Sequence, residues 1–480
     1  MPRDGAQSGV DTISLATIPG QRATGTNFSR ITNGIIEVER NTVDRSYRAY
    51  VRKRPGLANS TQPPGGAATG RGLYAWKATG KIYSIFDNAI YAATSDLGVT
   101  MAASSGKVWQ CELPSTAAAR LLIFSDGTDN YNITTADAIT QIDEGDDAQY
   151  PTPNLGPVWY YYQHLIQGTT AYLVNTEIAS VTSWLSADIK PIDFHGDDQE
   201  MFWPQKDRML SLGRNSFEMF YYRGTPIASP LQRVQQNLLK MGIASRNTFA
   251  WSGDQAYYVA EGSGEGEGGR TILTIGADSG EQIGIPAINR VLAAEGSTIS
   301  SSSAWCERLA GHSLYCLNLA TQDKSFVYNA ENKTWTEWRS ASDGAFNVMA
   351  VTSLNGAIYG QDESNGRIYT FSDSTYQDGG TTFDVVIVTD NRGKSTQRRK
   401  FVQWVDLIAD TESSGSATLE SSDDYGTTWV TRGTFDMTSP RKRIGPCGSY
   451  RGERQYRLTH SANAFFRGQA LQEIYALGDR

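Results

Sequence analysis

The chain has 480 residues, too many for one small domain, with 47 glycines, 24 tyrosines, 16 phenylalanines and 11 tryptophans but only 16 prolines. Charged residues make up 20% and the net charge is −8, a texture that points to an all-β protein and excludes a helical bundle or a disordered chain. An acidic whole argues against a tight nucleic-acid wrapper, which needs Lys and Arg on phosphates. Four cysteines without C-x-x-C spacing exclude a disulfide framework and a zinc ribbon.

In chain order, residues 1–30 are polar and lack clear periodicity, and 1–70 read as an extended N-terminal arm and linker. A basic segment there gathers Arg45, Arg48, Arg52, Lys53 and Arg54, and Pro63-Pro64-Gly65-Gly66 opposes regular structure. The first residues carry no apolar run of the secretory kind, and no stretch is long and apolar enough for a membrane span.

From 71 to 375 one kind of unit returns: two apolar-alternating runs joined by a turn. The first is 80–86, Asp87-Asn88, then 89–92, and the last joins 356–359 to 366–371. About seven such hairpins recur, each with an apolar face to bury on a neighbour, and radial stacking of such units is a β-propeller. The alternative is a stack of antiparallel sheets with no closed ring. Ser229 as cap, Pro230 in the first turn, Leu231, Val234, Leu238 and Met241 on one face and Gly242 at the end predict a helix near 229–242. Glu261, Glu265 and Glu267 then alternate with glycines in a tract that reads as a loop or hairpin tip. Alternating runs from 382 onward predict a separate β-sandwich over 376–480. The expected fold class is all-β: an irregular β-propeller-like body of stacked antiparallel hairpins with one helical insertion, plus a C-terminal β-sandwich.

Ser422, Asp424, Gly426, Thr428 and Trp429 follow the Asp-box spacing S-x-D-x-G-x-T-W. Such a hairpin uses the Asp to accept turn amides and the Gly for a positive φ, with the Trp packed beneath. A single copy, outside the propeller region and without a placeable arginine triad, reads as structural and not as a sialidase site. Residues 393–396 imitate the tail of a P-loop, but Val388 stands where the first glycine is required. His164, His195, His312 and His460 have no ligand spacing. Asp126, Asp129 and Asn130, like Asp143, Asp146 and Asp147, offer oxygens for Ca²⁺ without EF-hand order, and turn stabilisation explains both groups. Asp197-Asp198 is the kind of acidic pair expected by chance among 51 acidic residues. More informative are two basic runs, Arg392, Lys394, Arg398, Arg399 and Lys400, and Arg441, Lys442 and Arg443. They are a solvated face or a docking surface for acidic protein or DNA phosphates.

Several segments together resemble the packaged-DNA stabilisation proteins of short-tailed phages, the tail hub or nozzle. These are 33–37 through 50–57, Arg71-Gly-Leu-Tyr74 leading to Ile82-Tyr83 and Ile90-Tyr91, and Met241-Gly-Ile-Ala-Ser245 with the hairpin to Arg270. The resemblance implies a non-enzymatic virion protein assembled in the host cytoplasm as a homo-oligomer, a hexamer. It would sit below a head-to-tail adaptor ring, close the portal channel after packaging, pass double-stranded DNA at ejection without sequence specificity and carry fibres or spikes. It brings no catalytic, cofactor-binding or metal-binding residue. Under it, Glu261, Glu265 and Glu267 are candidates for a lumen or gate loop, since acid repels phosphate and lets DNA slide. The two basic runs are candidates for docking to the adaptor or a neighbouring subunit. The competing reading is a propeller glycosidase or depolymerase acting on host-surface polysaccharide, with Trp335 and Trp338 as sugar platforms.

Overall fold

The computed structural model describes residues 8–16, 30–40, 47–114, 120–184, 190–191, 198–224, 229–234, 241–262, 269–276, 280–391 and 398–478. Antiparallel meanders dominate. Four-stranded sheets form at 70–100, 109–142, 158–191 and 199–233, and a five-stranded one at 241–282. A sixth sheet combines Val348–Leu354, Ala357–Asp362 and Ile368–Ser372 with Gly56–Thr61, a strand delivered from the N-terminal side of the chain. These six sheets are blades of a β-propeller. A further meander over 303–338 sits between the blades at 241–282 and 348–372 and runs on, through Arg30–Thr32, into a second body.

Tight turns make the meanders. Leu354 pairs with Ala357 across Asn355-Gly356, whose φ values of 52° and 82° give the left-handed two-residue turn that matches strand twist. Phe86 pairs with Ala89 across Asp87-Asn88 in the same manner, with Asp87 at φ 50°.

Each sheet buries its apolar face on the next, and polar bonds close the ring. The Val108 amide donates to the Arg71 carbonyl at 2.8 Å. Asn130 donates to Gln167 at 2.9 Å, Trp159 Nε1 to the Phe202 carbonyl at 2.7 Å and Gln205 to the Asp254 carbonyl at 2.9 Å. The Tyr315 hydroxyl reaches the Thr248 carbonyl at 2.9 Å, and Trp305 Nε1 the Val348 carbonyl at 2.9 Å. Gln361 finishes the circuit, accepting from the Gly72 amide at 2.9 Å and donating to the Ile85 carbonyl at 2.7 Å.

The second body has two sheets facing each other across one core. In one, Lys400–Ala409 and Arg467–Leu477 pair with each other, and Ser8–Ser14 and Tyr47–Lys53 pair with Arg467–Leu477; Gly34–Arg40 pairs with Tyr47–Lys53. The other carries Val385–Val388, Gln455–His460, Ser416–Ser422 and Val430–Asp436. Ile13, Ile36 and Val51 lie in the same core as Val405, Leu419, Leu458 and Leu471. The division into an arm over 1–70 and an independent unit over 376–480 therefore changes. The described strands of 1–70 complete both bodies: Ile36 and Val51 lie in the two-sheet core, and Ile35 and Leu57 in a core with Trp305, Trp338 and Phe371.

The predicted helix near 229–242 is also corrected. Leu231–Arg233 is the outer strand of the blade at 199–233, paired with Phe217–Tyr222, and Met241–Ile243 opens the next blade; 235–240 lie outside the described residues. Among the described residues the α-helix is Pro286–Glu295, with Pro286 in its first turn, Ile288 and Leu292 buried, and Gly296 at φ 60° after its end. The buried Glu295 carboxylate accepts the Thr321 and Gln322 amides, each at 2.9 Å, and so anchors the helix to the 303–338 meander.

Candidate functional surfaces and the propeller axis

The basic segment at 48–54 forms the joint between the two bodies. Arg54 is fully buried. It grips Asp378 with two nitrogens at 2.5 and 3.0 Å, donates to Asn33 Oδ1 at 3.0 Å and to the Arg339 carbonyl at 2.9 Å, and lies 3.7 Å over the Phe383 ring. Asn33 supports it from a left-handed conformation, φ 56°, accepting the Arg339 amide on Oδ1 at 2.8 Å and donating to the Asp384 carbonyl at 2.9 Å. Lys53 is buried as well, donating to the Ala462 carbonyl at 2.8 Å, and burial followed by the neighbouring Arg54 charge pushes its ammonium down to about 8. Arg52 reaches Asp373 at 2.8 Å.

Glu37 is the matching acidic node. Burial alone would raise it, but His312 and a 2.8 Å bond from Arg467, together with the Arg52 charge, hold it down at about 2. His312 belongs to the propeller-side meander and Arg467 to the two-sheet body, so one carboxylate serves both. Arg45 lies outside the described residues. These roles are not readable from local sequence, because Asp373, Asp378 and Ala462 are hundreds of positions from Arg52, Arg54 and Lys53, and Arg467 is as far from Glu37.

Aromatic side chains crowd part of the propeller axis. Trp159, Trp203, Phe249 and Trp251 pack across one side, with Trp159 and Trp251 rings 4.8 Å apart and Trp203 and Phe249 rings 5.8 Å apart. The other side leaves a chamber of about 250 Å³ beside Lys107, Trp109, Trp305 and Cys306.

The predicted docking residues divide. Arg392 and Lys394 lie outside the described residues. Lys400 and Lys442 are buried and serve the fold. Lys400 sits 4.8 Å over Tyr475 and 3.4 Å from Asp11, and Lys442 donates to the Ser439 carbonyl at 3.0 Å. Arg443 clamps Asp406 at 2.5 and 2.6 Å and holds its carboxyl below the usual range. Arg398 donates to the Gly478 carbonyl at 2.9 Å. Arg399 and Arg441 are exposed, and Arg441 adds only a 3.4 Å contact to Asp406. The docking set thus shrinks, among the described residues, to Arg399 and Arg441 with partial help from Arg398 and Arg443. Beside it on the same sheet Phe401 and Trp404 are exposed, with Arg443 5.5 Å over the Trp404 ring.

Of the acidic tract, Glu261 ends the strand Gln255–Gly262 and takes two nitrogens of Arg270 at 3.0 and 3.2 Å, while Glu265 and Glu267 lie outside the described residues. In the Asp-box hairpin, Asp424 accepts the Ser422 hydroxyl at 2.6 Å, the Thr428 hydroxyl at 2.6 Å and the Thr428 amide at 2.9 Å, which together hold it at about 2. Gly426 has φ 84°, and Trp429 is half-buried under Arg457 at 4.5 Å.

The Asp-rich loops spend their oxygens on turns. Asp126 accepts the Thr128 and Asp129 amides, and Asp143 the Gly145 amide. No group of three or more metal-ligating side chains gathers among the described residues. His164 and His460 are buried on the Thr176 carbonyl at 2.7 Å and on Glu412 at 3.1 Å. His195 and Asp197 lie outside the described residues. The two tryptophans considered as sugar platforms are not free faces. Trp338 is fully buried with its nitrogen on the Gly34 carbonyl at 3.2 Å, and Trp335 is half-buried on the Ile283 carbonyl at 2.8 Å. No helix among the described residues is long and apolar enough to cross a membrane.

A family model described as bacteriophage P22 Gp10, beta-propeller, matches residues 36–376. No curated protein matches the chain. Among solved structures, streptogramin B lyase aligns at TM-score 0.41 and 11% identity, covering 67% of this chain and 98% of that one. RRP9 WD40 repeats align at 0.38 and 9%, over 67% and 99%. PorZ of Porphyromonas gingivalis, a component of the type-IX secretion system, aligns at 0.38 and 10%, over 80% and 46%. Likenesses this distant carry no functional argument.

Proposed function

The chain belongs to the bacteriophage P22 Gp10 β-propeller family and is a phage structural protein, and from that premise we propose that it is the hub or nozzle of a short-tailed phage tail. Copies assemble as a ring, a hexamer, beneath the head-to-tail adaptor; the ring closes the portal channel after packaging, conducts DNA at ejection and carries fibres or spikes. The observation that carries this reading is the propeller axis crowded by aromatic side chains beside a charge-stapled joint. A rigid two-body subunit of this kind suits the wall of a channel, with the duplex running between copies.

The acidic tract around Glu261 is the candidate lumen element, and Arg399 and Arg441 beside Phe401 and Trp404 are the candidate docking patch for the adaptor or the neighbouring copy. Arginine with exposed aromatics is the composition that protein interfaces favour. The genetic test is a phage lacking this protein. Particles that package DNA and then lose it support the reading; particles that retain DNA and eject it normally overturn it.

A further inference from the structure

The chamber on the propeller axis holds a charge that the assembly reading does not use. Its volume is about 250 Å³, just under the roughly 300 Å³ at which ligand pockets usually begin. Trp109, Trp251, Trp305 and Met349 supply apolar walls, and Lys107 is the single cation among its lining residues, with no carboxylate among them. The Lys107 ammonium has three N–H donors but only two long contacts, to the Phe249 carbonyl at 3.4 Å and the Ala304 carbonyl at 3.5 Å, with the Trp109 ring 4.5 Å away.

Buried charges are ordinarily paired, since desolvation is otherwise uncompensated. Elsewhere in this chain buried cations have close partners: Arg54 has Asp378, Arg454 has Asp423 and Lys400 has Asp11, while Lys53 and Lys442 donate to carbonyls at 2.8 and 3.0 Å. Lys107, half-buried, makes only longer contacts and lines open volume. Burial pushes its ammonium down to about 8, which leaves it mostly charged at neutral pH and strengthened by any anion that enters.

The geometry points to the axial chamber as a binding site for a small monocarboxylate with an apolar body. One ammonium matches one carboxylate. Gln110 and Thr352 add polar atoms at the lining, and the tryptophan walls cover the apolar part. Phosphate, with more charge and a tighter hydration shell, lacks donors here.

The test titrates the full chain with benzoate and with its uncharged counterpart benzyl alcohol, following tryptophan fluorescence and heat. The expected result is saturable benzoate binding at pH 7, at least tenfold tighter than benzyl alcohol, and abolished in Lys107→Met. Equal binding of the two probes, no saturable binding, or unchanged benzoate affinity in Lys107→Met overturns the proposal.

A pH series on the unaltered protein keeps the test decisive if that variant fails to fold. The other titratable groups lining the chamber, Tyr74 and Cys306, are both pushed up by burial. The nearby carboxylates Glu112, 3.4 Å from the Tyr74 hydroxyl, and Glu307, beside Cys306, are not lining residues. Benzoate affinity therefore falls tenfold or more between pH 7 and 10 as the ammonium loses its proton, and a flat profile contradicts the site.

Discussion

The joint between the two bodies buries its cations on close partners, whereas the propeller axis keeps Lys107 half-buried on long contacts. At the joint Arg54 has Asp378, Arg52 has Asp373, Arg467 has Glu37 and Lys53 has the Ala462 carbonyl at 2.8 Å. On the axis Lys107 has two distant carbonyls and an aromatic ring. A compensated buried charge fixes one arrangement of parts and collapses when one partner is removed, whereas an uncompensated one is a standing cost that a ligand can offset. The difference separates the residues that make the subunit rigid from the one left available.

Substitutions across the two regions sharpen that contrast. Arg54→Ala has the largest expected effect: Asp378 is left without its partner and the Phe383 ring without its cation, a loss of about 3–5 kcal/mol in urea unfolding of the full chain. Glu37→Gln comes next, at about 1.5–3 kcal/mol at pH 7 for lost charged hydrogen bonds. Its sign with pH is fixed. Glu37 is held at about 2 in the fold against about 4.3 unfolded, so its contribution is full above that unfolded value and drains away as pH falls toward 2. Wild type therefore loses more stability between pH 5 and about 2 than Glu37→Gln does, and parallel curves would break the assignment.

Lys107→Met moves the other way. The half-buried charge leaves, and the unfolding free energy stays level or rises by about 1 kcal/mol; a loss as large as that of Arg54→Ala would erase the comparison. The smallest effect belongs to Asp424→Ala, where the Thr428 amide exchanges faster in its exposed hairpin while the global midpoint stays put.

Much of the propeller was legible because hairpins declare themselves locally. Asp87-Asn88 and Asn355-Gly356 between alternating runs need no distant partner to be read. The helix was misplaced for a physical reason. Leu231, Val234, Leu238 and Met241 match a helical stripe, but Leu231–Arg233 completes a blade edge, and the hydrogen bonds of that edge to Phe217–Tyr222 outweigh periodicity. The true helix carried its own signals, Pro286 at the start, Ile288 and Leu292 one turn apart and Gly296 at the end.

The joint was invisible locally. Arg54 and Asp378 are 324 positions apart, so the basic run of 45–54 carries no local sign of the acids it meets. Lys107 gave no signal at all, because an isolated lysine before a strand is ordinary and only ring closure brings Phe249 and Ala304 to it.

The most direct test of the central claim is an electron cryo-microscopy reconstruction of the protein in the assembled tail. The account predicts a ring of copies with a lumen between subunits, each propeller axis closed at Lys107 and Trp251, and duplex density, where present, confined to that shared lumen. Isolated monomers without ring contacts, or a duplex passing along the axis of a single propeller, would contradict it.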